Sequence, residues 1–490
     1  MKTAAHTWSA LNTDLYELTM ACGYWKAGFQ DHEAVFHLLF RENPFGGQFT
    51  VACGLPAAIE FLQGFHFSED EVAWLADRRG NDGAPVFDRG FLEWLGDLRI
   101  GCDVDAVAEG TIVFPNEPMM RVSGPMIDCQ IIETALLNLL NFQSLIATKA
   151  ARVCLAAGSD RVIEYGLRRA QGLEGGLSAS RAAYIGGCAG TSNLLAGQRY
   201  GIPVSGTQAH SWIMFFESET EAFETYARVM PNNAVFLVDT YDSLTGLRRA
   251  LEAGRGLRAR GHEFIGIRLD SGDRVALSIA ARRMLDEAGF PSALIVCSGD
   301  LDEHAIAEMK ARGAKIDVWG VGTKLVTGCP DAALNGIYKL GAVRTPGGKW
   351  QPRLKLSDEP GKTSCPGRLQ VRRSRDAQGQ FVGDAIYDLE TGLTDPGACV
   401  DLTTGALLEI KGVTESFDLL APVLRGGGLV GAFPSIEQSR QLAQRQLASL
   451  PPATRQLQNP TPYPVGLESA LYRLREDLIS RARKEAQEPG

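Results

Sequence analysis

Between Asn233 and Gly328 the chain repeats one pattern: a short apolar run, a polar turn, then a stretch with apolar residues at helical spacing. "NAVFLVDTYDSLTGLRRALEAGRG" predicts a buried strand, an acidic loop and a helix capped at Asp242 and closed by Gly254. "EFIGIRLDSGDRVALSIAARRMLDEAGF" repeats the scheme, with a helix from about Arg274 and a stop at Gly289. "SALIVCSGDLDEHAIAEMKARGA" repeats it again up to Gly313, and "KIDVWGVGTKLVTG" begins a fourth unit. Apolar strands that alternate with amphipathic helices are the mark of βαβ units and a parallel sheet.

The polar residues at the strand ends separate the two ways of arranging such units. Asp239, Asp270 and Ser298 end successive strands, and Arg168, Ser192, His210, Asp300 and Thr323 hold similar places. A barrel gathers all its strand ends at one mouth, whereas an open sheet gathers only those at its switch point. No G-x-G-x-x-G turn follows a first strand, so an α/β barrel over residues 131–345 is expected. Residues 1–130 mix strands ("EAVFHLLF", "TIVFPNEPMMRV") with a helix ("LPAAIEFLQGF"). Residues 346–490 open with a segment rich in Pro, Gly and basic residues, alternate in "FVGDAIYDL", and end in a helical tail, "LESALYRLREDLISRARKEA".

Composition narrows the class. The 490 residues are 45% hydrophobic and 22% charged, as in ordinary soluble proteins. The net charge of −9 and the lack of a basic block argue against a nucleic-acid partner. The start, "MKTAAHTWSALN", lacks a signal peptide's apolar core, and no run of about 18 apolar residues occurs, so no membrane partner and a cytoplasmic location are expected. Ten cysteines include no C-x-x-C pair, which points to reduced thiols rather than a disulfide framework or a zinc ribbon.

Several turns can carry chemistry. "GIRLDSGD" sets Arg268, Asp270 and Asp273 directly after an apolar run, a cation and two carboxylates suited to ribose hydroxyls or a Mg²⁺-bound diphosphate. Asp273 alone could equally cap the next helix. "VCSGDLDE" and "WGVGTKL" place Gly299, Gly320, Gly322 and Thr323 at the following turns, where free backbone N–H groups suit a phosphate. "EYGLRRAQG" brings Tyr165, Arg168 and Arg169, an aromatic face and a guanidinium fork for a planar ring that carries a carboxylate. In "TDLYELTM", Asp14 and Glu17 form a D-x-x-E capping pattern with Tyr16 in the first turn. His210, in "GTQAHSW", follows a predicted strand, "IPVSG", and has no second histidine at metal-ligand spacing. A neutral imidazole there can attack a phosphoryl group.

These segments, together with "FHLLFRENPFGGQFTVACGL", "GTSNLLAG", "KLSDEPGKTSCPGRLQVRR" and "LQNPTPYPVGL", in this order, resemble nicotinate phosphoribosyltransferases over most of the chain. The resemblance implies an irregular TIM-like α/β barrel beside a smaller α/β sandwich domain formed from the N-terminal and C-terminal parts of the chain. It implies a homodimer with shared active sites, ATP as co-substrate and Mg²⁺ as cofactor. His210 falls on the histidine that ATP phosphorylates in the family. Tyr165 falls on the residue that stacks on the pyridine ring, with Tyr16 supplied by the partner subunit and Arg168 near the carboxylate. Gly206 and Ser211 flank the histidine beside the substrate, Asp270 binds the ribose hydroxyls of 5-phosphoribosyl 1-pyrophosphate, and Arg268 sits near the base. Gly299, Gly322 and Thr323 receive the 5-phosphate, and Arg41, Lys355 and Lys362 are further phosphate candidates.

Ser192 decides between acid and amide. Related nicotinamide enzymes carry an Asp in its place, which would repel a carboxylate, while a serine can donate to one. Besides nicotinamide phosphoribosyltransferase, the alternatives are a barrel lyase or isomerase and a non-catalytic regulatory paralogue. Lys324 is the one lysine at a predicted strand-to-helix turn for the former, and loss of His210 or Asp270 would mark the latter.

Overall fold

The computed structural model describes residues 8–357, 359 and 362–485. The chain divides into two compact units, residues 1–145 with 333–490, and residues 146–332.

The second unit is built on a six-stranded sheet in the order Gly190–Thr191, Arg161–Glu164, Val318–Val321, Leu294–Ser298, Gly266–Leu269, Val235–Leu237. Every neighbouring pair is parallel. The strands are almost wholly buried apolar runs, as strands covered on both faces must be. No ladder joins the two end strands among the described residues, so the element shown is a parallel sheet within a mixed α/β protein.

Helices begin directly after the strands because a side-chain oxygen takes up their first free N–H groups. Asp242 accepts from Thr245 N, Asp273 from Val275 N and Ala276 N, Asp302 from Ala305 N, and Asn193 from Leu195 N and Ala196 N. Asp273 is thus a cap.

Two expectations fail here. Gly254 does not close its helix, which runs Ser243–Ala259; a Cβ at 254 would stand 3.0 Å from Phe264, so this glycine serves packing. "IPVSG" forms no strand but a single bridge, Thr191 to Val204. Gly289 and Gly313, with φ of +79° and +85°, do follow their helix ends.

In the first unit, strands from both ends of the chain share an antiparallel seven-stranded sheet. Glu33–Phe40 lies between Gly336–Arg344 and Met120–Pro125, and Asp103–Ala106 pairs with Ala421–Arg425. A second sheet holds Leu369–Arg375 and Phe381–Asp388, with Val465–Leu467 parallel to the latter. Fully buried Arg373 clamps Asp384, its Nε 3.0 Å from Oδ2, and Tyr463 Oη donates to the other carboxylate oxygen at 2.9 Å. Burial and the charge of Asp384 push Glu117 beside them well above the usual carboxylate range.

No helix among the described residues is long and apolar enough to cross a membrane. None of the ten cysteines forms a disulfide.

Candidate active site

The carboxyl ends of the parallel strands surround a cavity of about 450 Å³. One wall starts at Arg161–Glu164. Fully buried Glu164 accepts hydrogen bonds from Ser180 Oγ at 2.8 Å and Thr191 Oγ1 at 2.5 Å, and from Gly166 N. That carboxylate fixes the turn that presents Tyr165, Arg168 and Arg169 and the neighbouring turn that presents Ser192; all four line the cavity. Arg168 lies in a 3-10 turn, Leu167–Arg169, rather than on the strand. Tyr165 fits because Gly320 has no side chain: a Cβ there would lie 2.6 Å from the ring.

The floor is a single hydrogen-bonded group. Arg268 donates from Nε to Ser298 Oγ at 2.8 Å, from Nη1 to Thr207 Oγ1 at 3.2 Å, and from Nη2 to Asp270 Oδ1 at 2.7 Å. Ser298 Oγ also donates to Asp270 Oδ1. Burial works to raise the pKa of Asp270, but the Ser298 hydrogen bond and the Arg268 charge outweigh it and hold the carboxyl below its ordinary range. The guanidinium of Arg268 also stands 5.9 Å from the centre of the Tyr165 ring. Behind this group, Asp239 Oδ2 accepts from Asp270 N at 2.9 Å and from Ser271 Oγ at 2.6 Å. Its other oxygen, Oδ1, is buried without a partner.

His210 opens the helix His210–Phe215, with Nε2 3.9 Å from Asp270 Oδ2 and Nδ1 3.1 Å from Thr240 Oγ1. Gly206, Thr207 and Gln208 line the cavity before it; Ser211, one residue on, is exposed and outside the lining. The far wall is Gly299, Gly322 and Thr323. Gly299 has φ +91°, and a Cβ there would lie 2.4 Å from Asp270 O, so only glycine lets the two turns touch. Arg274 Nη1 braces this turn from outside the lining, donating to Ser298 O at 3.0 Å. Lys324 is drawn away to Asp302, 2.7 Å distant, and offers no free amine.

Family models match along nearly the whole chain. The model described as nicotinate phosphoribosyltransferase (NAPRTase) family matches residues 161–380, and those for the N-terminal and C-terminal domains match 11–141 and 369–475. Nicotinate phosphoribosyltransferase of Bacillus subtilis (strain 168) is 39% identical over 98% of this chain and 97% of its own length. The chain belongs to the nicotinate phosphoribosyltransferase family. It is an enzyme of that family. The human protein of the same name is 36% identical over 96% of each chain. A crystal structure of human nicotinic acid phosphoribosyltransferase superposes with a TM-score of 0.82 at 33% identity, over 95% of this chain and 99% of that one. The structure of nicotinate-nucleotide pyrophosphorylase from Pyrococcus furiosus, 22% identical with a TM-score of 0.70, shares the fold.

The remaining site candidates of this family member belong to the first unit. Tyr16 lies in the first turn of Leu15–Lys26, half exposed. The expected capping pattern is not formed. The Asp14 side chain makes no cap bond and accepts from Thr134 Oγ1 at 3.1 Å, while buried Glu17 accepts from Gln130 Nε2 at 2.7 Å. Burial and a hydrogen bond with Glu17 push the Tyr16 phenol well above its ordinary pKa. Glu133, beside them, is pushed up to about 7 by burial and the charge of Glu17. Arg41 Nη2 donates to Lys362 O at 3.4 Å, Lys362 Nζ pairs with Glu359 at 2.7 Å, and Lys355 lines a second cavity.

Several residues went unnoticed in the sequence. Glu164, Thr207 and Thr240 gain their place in the site from side chains remote in sequence, Ser180 and Thr191, Arg268, and His210, so no local spacing marks them. Lys339 is half-buried beside Arg41, with its pKa lowered by burial and by the charges of Arg41 and Lys355. Its place in the alternating run "GIYKLGAV" was the available signal.

Proposed function

We propose that the cavity transfers a phosphoribosyl group from 5-phosphoribosyl 1-pyrophosphate to nicotinate. The products are nicotinate mononucleotide and pyrophosphate, and the step is coupled to ATP hydrolysis through phosphorylation of His210 in NAD salvage. The observation that carries this reading is that His210, itself just outside the cavity lining, reaches Asp270 of the Arg268–Asp270–Ser298 group, whose guanidinium faces the Tyr165 ring. Tyr165 offers the pyridine ring a flat face, while Arg168 and Ser192 offer its carboxylate donors. Asp270, held ionised, accepts from the ribose hydroxyls. The turns at Gly299, Gly322 and Thr323 receive the 5-phosphate. The ring nitrogen then bonds to the anomeric carbon as the carbon–oxygen bond to pyrophosphate breaks.

With Nδ1 protonated and donating to Thr240, His210 keeps its Nε2 lone pair for the γ-phosphorus of ATP, and ADP leaves as the N–P bond forms. Substrate affinities that differ between the phosphorylated and free forms provide the coupling. The unpartnered Oδ1 of Asp239 and the carboxylate of Asp270 fit Mg²⁺, which takes one or two carboxylates plus substrate phosphates. Bound there, Mg²⁺ would neutralise the departing diphosphate.

We read the parallel sheet as part of an irregular barrel within the expected span 131–345, beside a sandwich domain of 1–130 and 346–490 that also takes in strand Gly336–Arg344. Supporting this, Ile163 and Val235, from the second and the last strand in the order, belong to one buried cluster. A homodimer with shared sites is supported by exposed Leu173, Leu194, Met214 and Phe215 on helices around the cavity and by half-exposed Tyr16. In it Tyr16, Arg41 and Lys362 would serve the neighbouring copy's substrate. A cytoplasmic location follows from the substrates.

The test is product formation by purified protein with Mg²⁺ and 5-phosphoribosyl 1-pyrophosphate, with nicotinate and nicotinamide offered separately, each with and without ATP. Nicotinate mononucleotide, formed faster or further with ATP, is expected. Turnover of the amide instead would overturn the part played by Ser192.

A further inference from the structure

The turn after strand Leu294–Ser298 has a cation behind it. Gly299 and Asp300 both have left-handed backbone there, with φ of +91° and +41°. Asp is one of the few residues besides glycine that tolerate this region. Arg274, the first residue of the helix Arg274–Glu287, donates from Nη1 to Ser298 O at 3.0 Å and also to Gly299 O. Its charge thus rests on two successive carbonyls, and it forms no ion pair with a carboxylate among the described residues.

In a trans peptide the carbonyl and the next N–H point in opposite directions. Holding Ser298 O and Gly299 O on the arginine side therefore turns the N–H groups of Gly299 and Asp300 to the other side. Ser298, Gly299 and Asp300 line the cavity and Arg274 does not, so that other side is the one open to a ligand. Neither N–H donates to a protein acceptor among the described residues. Asp300 also brings a carboxylate to the lining, which by itself repels a phosphate; the guanidinium behind the turn offsets that charge.

Resting on the transferase reading of the cavity, we propose that Arg274 is a positioning residue for the 5-phosphate of 5-phosphoribosyl 1-pyrophosphate. It aims the N–H groups of Gly299 and Asp300 at the phosphate and adds a positive field through the turn, without touching the ligand. Successive N–H groups of a turn make an anion-binding concavity, and a carbonyl that already accepts a charged hydrogen bond polarises its peptide further. The pyridine wall does not depend on this brace, because the turns that present Tyr165, Arg168 and Ser192 are fixed by Glu164.

Calorimetric binding of ribose 5-phosphate to the full chain tests this, in the wild type, Arg274→Met and Arg274→Lys. The KM for nicotinate at saturating 5-phosphoribosyl 1-pyrophosphate is measured beside it. Arg274→Met keeps the aliphatic stem and is expected to weaken ribose 5-phosphate about tenfold, as loss of one charged hydrogen bond does, while the KM for nicotinate holds. Arg274→Lys, which keeps a cation near the carbonyls, should recover part of the loss. Equal affinity of Arg274→Met and the wild type for ribose 5-phosphate would overturn this role alone. A wild type that binds no ribose 5-phosphate would overturn the phosphate reading of the turn together with it. A KM for nicotinate that rises as much as ribose 5-phosphate binding falls would mark general loosening of the cavity and would overturn the role as well.

Discussion

The Nδ1 atom of His210 lies 3.1 Å from the hydroxyl of Thr240, a residue 30 positions further along the chain. This contact fixes the ring's plane, and in the proposed reaction it is Nδ1–H that donates to the hydroxyl, which leaves Nε2 as the nucleophile. Thr240→Val keeps the shape and removes the acceptor. It should lower the rate of ATP hydrolysis about tenfold, the worth of one hydrogen bond to a reacting group. His210→Ala should abolish both ATP hydrolysis and labelling of the protein by γ-labelled ATP. Full labelling of the alanine variant would remove His210 from the reaction.

Asp270→Asn removes the acceptor for the ribose hydroxyls and the partner of Arg268 together. Use of 5-phosphoribosyl 1-pyrophosphate, measured as kcat/KM, should fall roughly tenfold to a hundredfold. Near-normal kcat/KM would show that the carboxylate holds only the protein.

Glu133 titrates at about 7 in the folded chain, above its unfolded value of 4.5. Between those values the folded state binds more protons, so this group's contribution to stability falls as pH rises through the window. Glu133→Gln, neutral throughout, should gain melting temperature relative to the wild type between pH 5 and pH 8. A difference that stays constant across that range would contradict the raised pKa.

Arg373→Ala strands the buried carboxylate of Asp384 and should cost about 3–5 kcal/mol in urea unfolding, the usual result of breaking a buried pair. The double change Arg373→Met with Asp384→Leu should recover part of the loss. A single variant within about 1 kcal/mol of the wild type would mean that water reaches the pair.

What could be read in advance depended on distance along the chain. The strands ending at Leu237, Leu269, Ser298 and Val321, and the caps Asp242 and Asp273, follow from patterns a few residues long. Arg268 and Asp270 stood out for the same reason. Misreadings arose where a remote partner outweighs the local signal. Asp14 and Glu17 do mark a helix start, but the expected cap bonds are missing because Thr134 and Gln130 claim their carboxylates from 120 and 113 residues away. Gly254 looks like a stop, yet Phe264 is what requires it. Thr240 carries no mark of its own and gains meaning only when the fold brings it to His210.

Strand Glu33–Phe40 pairs with Gly336–Arg344, and Asp103–Ala106 waits for Ala421–Arg425. On the ribosome these amino-terminal strands therefore emerge about 15–60 seconds before their partners, at about 5–20 residues per second. Residues 146–332 supply their own parallel sheet and are translated within that interval. The nascent chain must accordingly hold apolar, unpaired edges in solution until synthesis is nearly complete, which is the state that chaperones bind and that aggregates at high expression.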